Sequence, residues 1–431
     1  MLAYRPEMPW DGERGKAKEE AGLENKLVIS KKENVIISAS FEGKDLVQVS
    51  LNASEEDAIL GNIYLGKVKN IIKNINAAFV EISDGKMCYY SMSENHYPIM
   101  AREQEYRRDE VQLVESKVKI GDELIVQVTK EDVKTKAPVV STNLNFTGKF
   151  AALTYGKPAV GVSSKIQDEK ERRRLKEIAK RMQKKEYGFI IRTNAAYIPE
   201  EQIVAEMEKL SEAYENIRKF GVHQSCFSLL YRTPPNYICD IRDSYTENVS
   251  EFVTDDKELY ANMEEFLKVY QPEDLGKLRF YQDETLSLAK LYGLNEKLEE
   301  AVRPMVWLKS GGTLVIQPTE ALTVIDVNTG KAVAGKKQVQ ETFLRVNREA
   351  AREIARQIRL RNLSGIIIID FIDMELKRDK ELLMEELEEY LKKDPVKTTL
   401  VDMTALGLVE VTRKKVRKPL HEQVEEVKKH R

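Results

Sequence analysis

The chain has 431 residues, with 69 Lys and Arg against 71 Asp and Glu and a formal net charge of -2. At roughly 100–200 residues per domain, that length implies several domains with ample cores of their own. The charge balance excludes a uniformly basic nucleic-acid binder, but not one with charges segregated along the chain. The three cysteines (Cys88, Cys226, Cys239) and four histidines (His96, His223, His421, His430) lie too far apart for a disulfide framework or a zinc motif. Neither a signal-peptide core nor an apolar run of about 18 residues is present, so a reduced, cytoplasmic protein with no membrane span is expected.

Residues 1–22 are polar, with Pro6, Pro9, Gly12 and Gly15, and read as a loose extension. Strand-like alternation begins near residue 27 and turns at Glu42-Gly43. Short strand patterns separated by glycine turns continue to about 142, which suits a small β-barrel. Within it Lys67, Lys69 and Lys73 accompany Phe79, Tyr89 and Tyr90. Rings beside lysines suit a surface that stacks bases and tracks phosphates, although a Phe in AAFVEI also reads as core. A basic helical run over 165–186 leads to the strand GFIIRTNA and a helix that stops at Gly221. An acidic α/β pattern fills 238–301.

From 302 the pattern is TLVIQ, a Pro318-Thr319 turn, LTVIDVN, a long helix over 341–361, IIIID and a helix over 379–393. Alternating strands and helices of this length imply an α/β domain. In LTVIDVN the two-residue period puts Asp326 and Asn328 on one face. Asp370 follows four isoleucines that read as a buried strand. A strand–helix–strand crossover sets these strands side by side and brings Asp326 to Asp370. Two such carboxylates repel unless they share a proton or a divalent cation, and an all-oxygen donor set favours Mg²⁺, with Mn²⁺ the alternative. The bland reading is two strand-end carboxylates capped or paired with arginines. The intervening helix carries six arginines against two glutamates over 345–361, which suits a polyphosphate substrate beside the metal or, equally, a solvated face of Glu–Arg pairs.

GNIYLGKVKNIIKNINAAFVEIS resembles an S1-type RNA-binding domain. IQPTEALTVIDVNTGK, EAAREIARQIRLRNLSG and IIIIDFIDM together resemble the catalytic core of the ribonuclease E/G family, and LGLVEVTRKK its closing segment. The resemblance runs from about 24 to 418. It implies an α+β multidomain fold: an RNase H-like subdomain split over 23–57 and 238–301, an inserted S1-type OB barrel at 58–142 and a 5′-sensor at 143–237. A DNase I-like α/β catalytic subdomain over 302–418 and a charged tail over 419–431 complete it.

The same resemblance implies a Mg²⁺-dependent endoribonuclease that cleaves single-stranded RNA, such as rRNA precursors and mRNA, and leaves 5′-monophosphates. Asp326 and Asp370 then hold the metal and Asn328 contacts the scissile phosphate. Phe79, Tyr89 (a phenylalanine in the family) and Lys136 contact RNA. The 5′-phosphate pocket maps onto Gly148, Ala152, Arg192 and Thr193, with Lys397 standing where the family has an arginine and losing the bidentate fork. Past Pro419 the family usually carries a CPxC pair that shares zinc between protomers. HEQVEEVKKHR has no cysteine, so no zinc is expected and any homo-oligomer is not zinc-linked. Nor is a long scaffold tail expected. The rival readings are a non-catalytic S1-type RNA-binding protein, which loss of either aspartate would favour, and, more weakly, a DNA nuclease.

Overall fold

The computed structural model describes residues 25–53, 59–100, 117–131, 137–244, 249–330 and 339–429. The extension expected over 1–22 and the candidate Lys136 lie outside them. By internal contacts the chain divides into two compact units, Met1–Ser54 with Thr246–Arg431, and Glu55–Tyr245. The architecture is mixed α/β, and none of the described helices is long and apolar enough to cross a membrane.

The first unit is made from both ends of the sequence. Its five-stranded sheet begins as the antiparallel meander Asn25–Lys32, Val35–Glu42 and Asp45–Ala53, with Gly43 at φ +61° in the second of its tight turns. Asn25–Lys32 then pairs in parallel with Val249–Thr254, which pairs with Leu278–Phe280. That long-range pairing is why a separate unit can be inserted between residues 54 and 246 without breaking the sheet.

A second, six-stranded sheet in this unit has the order Met305–Trp307, Thr313–Pro318, Leu322–Asn328, Gly365–Asp370, Leu408–Arg413, Thr398–Met403. Only Leu322–Asn328 and Gly365–Asp370 run parallel, and the Val339–Leu360 helix is their crossover. Val346, Ala350, Ala351, Ile354 and Ile358 form its apolar stripe and pack on Leu314, Ile316, Ile325, Val327, Ile367 and Ile369. Leu383, Leu387 and Leu391 of the Lys377–Lys392 helix join the same core. One face of the sheet is thus covered and the other is open. The isoleucine run is therefore not buried throughout. Ile367 and Ile369 face the helices, whereas Ile366 is 50% exposed, because the strand alternates between a covered and an open side.

In the second unit, five strands close a barrel: Ile63–Ile72, Ala77–Ser83, Lys86–Ser91, Val139–Ser141 and Glu123–Lys130, the last returning to the first. Ala78, Val80, Cys88, Tyr90, Val126 and Val140 fill its interior. This closure fits an OB-type barrel. Beside it, the four-stranded sheet Gly161–Val162, Tyr187–Ile191, Ala151–Tyr155, Asn145–Thr147 packs against the helices Glu169–Met182 and Glu200–Phe220. Asp168 caps the first of these by accepting from the Lys170 and Glu171 amides.

Candidate active site

Asp326 and Asp370 are direct partners in the parallel register, so both side chains leave the open face of the sheet from adjacent strands. At about 4.8 Å between strands, one small cation is within reach of both. Asn328, two residues on and on the same face, donates its side-chain amide to Asp326 Oδ2 at 2.7 Å. Partial burial, and then the neighbouring charges of Asp326 and Asp373, push the Asp370 carboxyl above its ordinary range. Among the described residues no Lys or Arg pairs with either carboxylate. The bland reading of arginine-paired strand ends thus finds no arginine for these two among the described residues.

The donor set is oxygen only, and no group of three or more His, Cys, Asp or Glu with metal-holding geometry occurs among the described residues. Two carboxylates with remaining positions open to water are what Mg²⁺ takes, since it dehydrates reluctantly. The residues present fit that ion and do not form a zinc cage.

Close backbone packing holds this end of the sheet. A Cβ on Gly312 would lie 2.9 Å from the Asn328 carbonyl oxygen, and one on Gly330, at φ +53°, would strike the Gly311 carbonyl. The segment after Asp370 is fixed by a residue that sequence reading passed over. Asn347, fully buried on the crossover helix, donates to the Ile372 carbonyl at 2.8 Å and accepts from the Ile372 amide at 3.0 Å. Its signal was a polar side chain interrupting the apolar stripe beside Val346.

The arginines of that helix serve a different purpose from the one their clustering suggested. The helix packs on the covered face, away from the aspartates. Arg348 is paired with Glu386, Arg356 with Glu353 and the Leu46 carbonyl, and Arg359 with Glu42 and the Val47 carbonyl. Arg361 is buried and donates to Gln357. These four tie structure together, through partners mostly distant in sequence, rather than forming the solvated face of Glu–Arg pairs that the sequence offered.

On the barrel, Phe79 and Tyr89 are cross-strand partners with ring centroids 6.4 Å apart and nearly perpendicular planes. Both are half-exposed while Ala78, Val80, Cys88 and Tyr90 point inward, so Phe79 is not a core residue. Lys69 is paired with Glu81 at 2.8 Å and Lys67 with Glu123 at 3.8 Å, whereas Lys73 is exposed.

Arg192 and Thr193 follow directly on the Tyr187–Ile191 strand. The Arg192 guanidinium donates to the Gly148 carbonyl at 2.5 Å and to Asp243 at 2.8 Å, and the Thr193 hydroxyl lies 2.9 Å from Ser163 Oγ. Burial opposes ionisation of Asp243, but the Arg242 and Arg192 guanidinia outweigh it and hold the carboxyl below its usual range. Ala152 lies on the neighbouring strand, opposite Ile190. Gly148 is dictated by Glu206, whose carboxylate a Cβ there would strike. Glu206 accepts the backbone amides of Lys149, Phe150 and Ala151 at 2.7–2.9 Å, and burial raises its pKa against those bonds and the Arg192 charge. The bonds of Asp243 to Arg192 and of Glu206 to the 149–151 amides had no local sequence signal, since they span some fifty residues. Lys397 belongs to the other unit, where it is exposed and its carbonyl accepts from the Lys414 amide.

Comparison with known proteins bears on the whole arrangement. A model of the ribonuclease E/G family matches residues 145–416. The chain is 33% identical over 384 residues to ribonuclease G of Escherichia coli K12, covering 89% of this chain and 78% of that protein. It is likewise 33% identical over 377 residues to ribonuclease G of Haemophilus influenzae, covering 87% and 76%. Against ribonuclease E of Synechocystis it is 34% identical over 403 residues, 93% of this chain and 58% of that protein. With its paired aspartates in the matched region, the chain belongs to the ribonuclease E/G family of endoribonucleases.

Proposed function

We propose that this chain hydrolyses internal phosphodiesters of single-stranded RNA, using Mg²⁺ held by Asp326 and Asp370. The observation that carries the reading is the side-by-side register of the two aspartates with the Asn328 amide on Asp326. Asp326 and Asp370 supply the negative charge that binds the cation, and Asn328 fixes the Asp326 carboxylate and presents an amide beside the scissile phosphate. Bound there, a divalent cation supplies polarisation of a phosphoryl oxygen and easier loss of a proton from the attacking water. Asn347 keeps the Asp370–Asp373 segment in place during turnover. The water oxygen bonds to phosphorus as the P–O3′ bond breaks, so the upstream product ends in a 3′-hydroxyl and the downstream one in a 5′-monophosphate.

In this reading 23–57 and 238–301 form the RNase H-like subdomain, 58–142 the S1-type domain, 143–237 the 5′-sensor and 302–418 the DNase I-like subdomain. Phe79 and Tyr89 stack bases, and Lys136 is assigned a contact with RNA. Arg192 and Thr193 take a 5′-terminal phosphate beside Gly148 and Ala152. Because Arg192 is already engaged by Asp243, the phosphate must share or displace that carboxylate, so stimulation by a 5′-monophosphate should be modest. The substrates proposed are rRNA precursors and mRNA in the cytoplasm.

One RNA prepared with a 5′-monophosphate, 5′-triphosphate or 5′-hydroxyl tests both parts when incubated with and without Mg²⁺ and its product ends are mapped. Cleavage that persists in excess chelator removes the metal assignment. Equal rates on the three RNAs remove Arg192 and Thr193 from 5′-end recognition.

A further inference from the structure

The register that aligns the aspartates continues across the open face to the edge of the sheet. Asp326 pairs with Val315 and Val315 with Met305, while Asn328 pairs with Thr313 and Thr313 with Trp307. Cross-strand partners share a face, so Met305 and Trp307 stand on the same side as the aspartates. Val306, between them, turns inward to the apolar core. Met305 is 51% exposed and Trp307 65% exposed. With strands about 4.8 Å apart, the Trp307 backbone is about 10 Å from that of Asn328, within the span of an indole and one nucleotide.

Such exposure has a cost and needs a reason. Trp is a large apolar side chain that is highly buried on average, and leaving it in water forfeits its burial energy. Trp307 makes no ring–ring or cation–π contact among the described residues. Its support, however, is rigid. The turn after it is closed by the Leu308 amide on the Gly312 carbonyl, and the Glu349 carboxylate accepts the Lys309 and Ser310 amides at 2.5 and 3.0 Å. Gly312 and Gly330 then lock this turn against the end of the Asn328 strand. The indole is therefore a firmly mounted aromatic surface beside a phosphodiester-cleaving site.

We propose that Trp307, flanked by Met305, is a stacking platform for a base of single-stranded RNA next to the bond cleaved at Asp326 and Asp370. The inference rests on the endonuclease reading above and adds a substrate contact to it. Every base has a π-face, so the platform tightens binding without selecting a base.

The chain has two tryptophans, Trp10 and Trp307, so Trp10→Phe leaves Trp307 as the sole indole reporter. In that background Asp326→Asn stops cleavage, and a short single-stranded RNA is titrated while indole emission and the anisotropy of an RNA label are followed together. Emission should be quenched in step with binding. In the active chain Trp307→Ala should raise KM and Kd about tenfold with a smaller change in kcat, and Trp307→Phe should restore most of the loss. Binding seen by anisotropy with unchanged emission, or a wild-type KM for Trp307→Ala, overturns the platform while leaving the endonuclease reading intact. Absence of cleavage by the unmutated chain overturns that reading and the platform with it.

Discussion

In the first unit, Asp326 and Asp370 stand side by side on an open sheet face with like charges, one amide on Asp326 and no cationic partner among the described residues. In the second, Arg192 is held by Asp243 and a carbonyl, Thr193 faces Ser163, and Glu206 accepts three backbone amides. Among the described residues the carboxylate pair has no compensating cation, and its like charges repel until one arrives. The arginine centre is compensated internally, so an incoming anion competes with a group already in place. A site of the first kind binds its ion at some cost to the empty fold. One of the second kind contributes to the fold and responds weakly to its ligand.

That contrast can be broken experimentally, beginning with the largest expected effect. Asp326→Asn or Asp370→Asn should lower kcat by at least about 10³-fold while RNA binding by anisotropy survives, since several kcal/mol of transition-state stabilisation depend on the metal. Wild-type turnover in either variant would remove the metal assignment. Asn328→Ala should cost about 10- to 100-fold in activity or metal affinity, the usual penalty for losing a hydrogen-bonded orienting group at a metal site. Intact activity in that variant would leave Asn328 without a role.

In the compensated centre the loss should appear as stability instead. Glu206→Gln replaces an acceptor oxygen with a donor against the Lys149–Ala151 amides and should cost about 1–3 kcal/mol in urea unfolding. Asn347→Ala should cost a similar amount, about 1–3 kcal/mol, by freeing the Ile372 amide and carbonyl, and should also lower kcat through the loosened Asp370–Asp373 segment. The smallest effect sharpens the comparison most. Asp370→Asn removes like-charge repulsion, so without divalent cations its melting temperature should lie slightly above that of the unmutated chain. A lower melting temperature would mean that the Asp370 carboxylate supports the fold and that the two centres are alike.

The crossover and both aspartates were legible because they rest on local rules. A two-residue period put Asp326 and Asn328 on one face, and a helix between two apolar runs required adjacent strands. The helix over Val339–Leu360 came within two residues of its expected start, because its apolar stripe is continuous from Val346 to Ile358. The arginines misled for a related reason. Sequence shows that a helix is basic, but not which side of a sheet it covers, and Arg348, Arg356 and Arg359 found their acids and carbonyls on the side away from the site.

Local periodicity and residue chemistry by themselves determined the side-by-side placing of the two aspartates and the barrel's alternation. Tertiary structure alone decided that Phe79 points outward, that Ile366 and Trp307 lie bare on an open face, and that Arg192 is held by a carboxylate from a distant helix. Those outcomes depend on which surface another element happens to cover. Burial and charge pairing are set by contacts between segments far apart in sequence, and no local pattern encodes the partner.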